Sequence, residues 1–213
     1  MSAAIDLIRA ARVPMESRDW IDGNRNCRRR RTGTLGPVLG CNSYVVLCEA
    51  NLAGLHMVED DGWGGHIIME DSPREIRKHL PILIHGTGRI LKTGLGLGCV
   101  VRGLLSKSDV AHIDVIENDP RIIRHVGPEF AGNSRVTIHQ GDALTLDIDG
   151  RWDFAWHDIY TEGNDGLQVL HGKLIKRYYG RARVQGAWNF PASVARALPI
   201  RLLGAKRTRR QRR

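Results

Sequence analysis

The feature that most constrains this chain is the run Ile90-Leu91-Lys92-Thr93-Gly94-Leu95-Gly96-Leu97-Gly98-Cys99, with Ile113-Asp114-Val115-Ile116-Glu117 following it. An apolar run enters a triple-glycine turn and then a helical pattern. A second apolar run then ends on a carboxylate. A βαβ unit of this kind builds a nucleoside pocket: the glycines bring backbone against the ligand, and the acid at the next strand tip takes the ribose hydroxyls. The glycines are spaced Gly-x-Gly-x-Gly. A dinucleotide fingerprint needs Gly-x-Gly-x-x-Gly, and that third position falls on Cys99 or Val101. No Gly-Lys-Ser/Thr follows, which excludes a Walker loop. Taken alone, the glycines also fit a plain tight strand-to-helix turn.

Further acids recur where such a pocket needs them. Asp142 lies in His139-Gln140-Gly141-Asp142-Ala143, just past a third apolar run, where it can accept from an exocyclic amine or cap a turn. Asp158 closes Trp156-His157-Asp158 after a fourth run. Open α/β sheets hold ligands at the carboxyl ends of their strands, so Gly94–Gly98, Glu117, Asp142 and Asp158 are expected to converge on one crevice.

Along the chain, the patterns predict a leading helix over residues 1–13. Short β-type runs follow at 43–48, 55–58 and 66–69, separated by turn signals, and suggest a small antiparallel hairpin or meander. Ser72 and Pro73 open a helix reaching about residue 79. Strands are predicted at 88–93, 111–117, 135–139 and 152–157, with helices at 98–106 and from Asp119-Pro120 to an interruption near Gly127-Pro128. A helix over 166–179, a strand over 182–188 and a short helix over 192–197 complete the pattern. Alternation at this rhythm predicts an α/β fold with a parallel sheet and helices on both faces. The expected division is 1–70 (helix and β region), 71–200 (Rossmann-like domain) and 201–213 (basic tail).

Composition, at 42% hydrophobic and 26% charged, is that of a globular chain. No apolar run reaches membrane-span length, and the first residues lack the features of a secretory signal, so a cytoplasmic protein with no membrane contact is expected. Cys27, Cys41, Cys48 and Cys99 show no Cys-x-x-Cys spacing and are expected as reduced thiols, with no metal site. The net charge of +9 is uneven: six Lys and Arg fall in the last eight residues, and Arg28 to Arg31 form a second cluster. Such runs usually stay solvated and disordered; the functional alternative is an electrostatic arm for nucleic acid.

On these residues the chain resembles the class I S-adenosylmethionine-dependent methyltransferases, and within them the spermidine-synthase-like branch. The resemblance spans about residues 65–160 and rests on Leu91 to Gly98, Val115-Ile116-Glu117-Asn118-Asp119-Pro120, Gly141-Asp142-Ala143 and Trp152 to Asp158. It implies S-adenosylmethionine, or its decarboxylated form, as cofactor. Gly94, Gly96 and Gly98 would line the methionine and ribose end, Glu117 would bind the ribose diol and Asp142 would face the adenine, with Leu95, Asn118 and Ala143 also among the cofactor-binding residues. Asp158 would sit beside the sulfonium and the acceptor. Many members carry an acid where this chain has Lys92, and spermidine synthases carry a second acid where it has Thr161, with Glu162 next to it. The short remainder after Tyr160 predicts a C-terminally shortened sheet, whose edge a partner subunit, as in a homodimer, would cover.

Methyl transfer is an in-line displacement in which the protein mainly supplies alignment and a dry site. If the acceptor needs a base, Asp158 is the candidate, with His157 and Tyr160 behind it. His157 equally fits a packed strand position. Three readings stand: a methyltransferase acting on a small-molecule or nucleic-acid acceptor, a polyamine-type aminopropyltransferase, and a non-catalytic methyltransferase-like binding protein.

Overall fold

Alternating helix and strand from Ser72 onward resolves into five parallel strands. In the computed structural model, residues 3–14, 19–31, 43–50, 65–159 and 166–189 are described. Within these, α1 spans Ala3–Ala10. An antiparallel sheet follows, made of β1 (Trp20–Asp22), β2 (Arg25–Arg31), β3 (Ser43–Ala50) and β4 (Gly65–Glu70), paired in that order. The expected meander is therefore present as a four-stranded sheet, although the run at 55–58 lies outside the described residues. One expectation is corrected. The backbone of Arg28–Arg31 is not a disordered run but strand, in register with Val46 to Ser43. Its partner β3 carries Val45, Val46, Leu47 and Cys48, all buried, and that pairing overrides the weak strand preference of a basic run.

The helix expected to reach residue 79 is two helices, α2 (Pro73–Arg77) and α3 (Leu80–His85). The Ser72 side chain accepts from the Glu75 N–H and caps α2. Pro81 has no N–H to donate, so it starts a new helix rather than extending the old one. Then come β5 (Gly88–Thr93), α4 (Cys99–Leu105), β6 (Val110–Glu117), α5 (Pro120–Val126), a 3₁₀ turn (Gly127–Glu129), β7 (Val136–Gln140), β8 (Trp152–His157), α6 (Leu167–Arg177) and β9 (Ala182–Ala187). The parallel sheet has the order β7-β6-β5-β8-β9.

Alternate residues of the central strands feed two cores. Ile90, Ile113, Val115, Phe154 and Trp156 pack with α1, α3 and α4 on one face. Leu91, Ile116, Trp152 and Ala155 pack with α6 on the other. Burying a Val, Leu or Ile of this kind contributes about 1.5–3 kcal/mol over leaving it exposed. The chain leaves β5 toward β6 on one side and returns to β8 on the other. The crevice between the carboxyl ends of β5 and β8 is thus the topological switch point, where this architecture binds ligands. The expected helix at 192–197 and the tail at 201–213 lie outside the described residues.

Candidate functional site

A cavity of about 620 Å³ opens at that switch point. The ends of β5, β6 and β8 form its floor, and β4 of the antiparallel sheet forms one wall. Of the sequence-predicted residues, Gly94, Gly96, Glu117, Asn118, Asp142, Ala143 and Asp158 line it together.

Glu117 ends β6 with its carboxylate turned toward the glycine bend. Oε2 accepts from the Leu95 N–H at 2.6 Å and Oε1 from the Asp119 N–H at 2.8 Å. Each oxygen keeps a lone pair for a further donor, as a vicinal diol requires. Asp119 caps α5 and receives Arg121 and Arg25 at 2.7 and 2.8 Å. Partial burial pushes its carboxyl up, but those hydrogen bonds prevail and hold it down to about 2. Asp142 accepts from the Leu144 N–H at 2.8 Å, so it caps a turn and lines the cavity at once.

The glycines serve the chain's own packing more than the sequence suggests. Gly94 has φ +83°, and a Cβ there would lie 2.0 Å from the Asp158 carbonyl oxygen. Gly96 has φ +55°, and its Cβ would meet the Met69 sulfur at 2.5 Å. Gly98 does not line the cavity: the Phe130 ring occupies the space beside it. Leu95 contributes its backbone N–H while its side chain is buried in the core.

Asp158 is not a free-standing base. The ammonium of Lys92, itself 1% exposed, donates to Asp158 Oδ2 at 2.9 Å and to the carbonyls of Thr93 and Gly94 at 3.1 and 2.6 Å. Burial pushes the Asp158 carboxyl up, but the Lys92 charge, with His79 beside it, holds it below its ordinary value. A carboxylate held in this way is a hydrogen-bond acceptor and a weak proton acceptor. His157 is also corrected. It does not line the cavity. It is fully buried against α6, with its Nε2 on Gln185 Oε1 at 3.0 Å and its Nδ1 on Thr93 Oγ1 at 3.3 Å, and its ring stacks on Tyr178. Burial pushes its pKa down to about 3, a packed strand histidine. Tyr160 lies outside the described residues.

Sequence reasoning missed His79, Lys92 and Met69. His79 lines the cavity, accepts from Trp156 Nε1–H at 3.1 Å through Nδ1, and turns Nε2 toward Asp158 at 4.0 Å. Burial lowers its pKa, so at neutral pH the ring is uncharged with its proton on Nε2. No spacing signal marks it, because it sits at the α2–α3 break.

Comparison with known proteins gives partial matches. Ribosomal RNA small subunit methyltransferase A of Pseudomonas fluorescens is 42% identical over 60 residues, 28% of this chain and 22% of that protein. Polyamine aminopropyltransferase of Agathobacter rectalis is 30% identical over 131 residues, 54% of this chain and 44% of that protein. Among solved structures, the human methyltransferase 10 domain containing protein aligns with 54% of this chain and 62% of its own, at 16% identity and a TM-score of 0.42. No family model matches the chain. The chain thus spans from about a fifth to under half of the length of these curated relatives. The topology is that of a Rossmann-like α/β fold with a cavity at its switch point. By these partial matches the chain is similar to proteins of the class I S-adenosylmethionine-dependent methyltransferase superfamily.

Proposed function

We propose that this protein transfers a methyl group from S-adenosylmethionine to an acceptor that enters over Asp158. The carrying observation is the Glu117 carboxylate hydrogen-bonded to the glycine bend at the switch point. The cofactor supplies an electrophilic methyl carbon on a sulfonium. The chain's residues do the rest: Glu117 grips the ribose diol, Asn118, Asp142 and Ala143 border the base, and the apolar wall of β4 keeps water out. Asp158, clamped by Lys92, accepts a hydrogen bond from the acceptor and fixes its angle. Alignment, rather than proton abstraction, is then its contribution.

The acceptor we favour is a nucleic acid. The formal charge of +9 supports it, and so does the printed name of the first relative, a ribosomal RNA methyltransferase. A second reading, aminopropyl transfer, is favoured by the longer match to a polyamine aminopropyltransferase. Lys92 weighs against it, since it ties up the Asp158 carboxylate that would have to deprotonate the attacking amine.

Calorimetric titration with S-adenosylhomocysteine tests the cofactor assignment, with NAD and decarboxylated S-adenosylmethionine as competitors. Glu117→Gln keeps the volume and removes the charge. It is expected to weaken S-adenosylhomocysteine binding at least tenfold, the loss of roughly one charged hydrogen bond of 1.5–3 kcal/mol. Undiminished binding by that variant refutes the ribose assignment; preference for the decarboxylated compound moves the reading to aminopropyl transfer.

A further inference from the structure

The wall over the glycine bend is built irregularly. Leu47 pairs with Met69 and Cys48 with Ile67, so Ile68 is an extra residue in β4, a β-bulge. In a regular strand, side chains alternate between the two faces. Here three consecutive residues, Ile67, Ile68 and Met69, all border the cavity. Bulges commonly re-aim a side chain beside a binding site. Of the three, Met69 reaches the glycine bend. Its thioether sits over Gly96 and accepts the Leu97 N–H at 3.3 Å.

That contact is an uneven match. A backbone N–H is a strong donor, whereas a thioether sulfur is a weak acceptor. Methionine is also the most adaptable apolar side chain, with three rotatable bonds. Met69 thus covers a donor that an anionic ligand group would satisfy better. The covered donor lies on the glycine bend, next to Gly96.

We propose that Met69 is an internal stand-in for the amino-acid tail of the nucleoside, and that it must leave the Leu97 N–H before a carboxylate-bearing tail can settle there. Met69 then sets which nucleosides bind. It opposes ligands with a charged tail and is indifferent to those without one. This inference rests on the nucleoside assignment under Proposed function and adds a specificity residue to it.

The test measures Kd by calorimetry for two probes, S-adenosylhomocysteine and 5′-methylthioadenosine, which share the nucleoside and differ in the tail. The proteins are the native chain, Met69→Leu and Met69→Ala. Leucine keeps an apolar wall and cannot accept a hydrogen bond. Both variants are expected to bind S-adenosylhomocysteine about fivefold more tightly, the worth of one weak hydrogen bond no longer to be broken. Methylthioadenosine affinity is expected to stay within about twofold. Weaker or unchanged S-adenosylhomocysteine binding by Met69→Leu overturns the proposal, as does an equal change for both probes. If neither probe binds any of the three proteins, the nucleoside assignment itself falls, and that outcome is distinct from a failure of Met69 alone.

Discussion

Lys92 holds the Asp158 carboxylate at the cavity, and its removal reverses how that group responds to pH. In the native chain the Asp158 carboxyl is depressed by Lys92. Its contribution to stability is therefore present above its unfolded pKa and lost as pH falls through the folded one. In Lys92→Met, the main group opposing burial is gone and only His79 and His171 still pull the other way, so the carboxyl is expected to rise and its contribution to fade as pH rises instead. Breaking a buried pair costs about 3–5 kcal/mol. Urea unfolding at pH 5 and pH 8 is expected to show the larger loss at pH 8; an equal loss at both would mean the pair carries no charge coupling. His157 gives a second residue-scale prediction. Its pKa is lowered to about 3, so the unfolded chain binds that proton first and stability falls as pH drops below the ordinary histidine value. The expected slope from this group is about 1.4 kcal/mol per pH unit between pH 6.5 and 3. His157→Asn should flatten the urea-derived stability profile there in part, since His79 and His171 are shifted the same way. The sequence put Glu117 at a strand tip beside the glycine bend, and there its carboxylate meets the Leu95 N–H. It did not carry Lys92 or His79, whose roles come from groups 66 and 77 residues away.

Among the elements, strands β5, β6 and β8 were legible almost to the residue, since a strand buried on both faces is a continuous apolar run whatever surrounds it. Strand β2 was not, because its one clear apolar residue among the basic ones, Cys27, gives no alternation; its pairing with β3 creates it. The join between the antiparallel sheet and the rest is equally invisible in the chain order. It is made by Asp71, fully buried between β4 and α2. Asp71 accepts from Arg12 Nε at 2.9 Å, Val13 N at 3.0 Å and Val45 N at 2.5 Å, which ties the segment after α1 to β3. Asp71→Ala leaves a buried guanidinium and two backbone donors without that acceptor. The expected loss is about 3–5 kcal/mol, with hydrogen-exchange protection falling first in α1 and β3. A loss below about 1 kcal/mol would show that water replaces the carboxylate.

At the scale of the whole molecule the open matter is where the charge lies. Within the described residues the arginines near the cavity are largely matched: Arg25 and Arg121 meet Asp119, and Arg124 meets Asp22. Six of the nine excess positive charges instead fall in the last eight residues, so deleting residues 205–213 lowers the formal net charge from +9 to +3. If the acceptor is a nucleic acid, this segment should supply affinity without sequence choice, through counterion release. The segment has no aromatic residue on which bases could stack, so salt should govern its effect almost entirely. Gel shifts of single-stranded RNA across a salt series are expected to show a log Kd–log salt slope reduced by up to about 4 on truncation, since each phosphate neutralised contributes about 0.7. S-adenosylhomocysteine binding should be unchanged, because Glu117 and the glycine bend belong to the parallel sheet. Should truncation leave the slope where it was, the basic run plays no part in acceptor binding, and any nucleic acid would have to be held by the cavity rim itself.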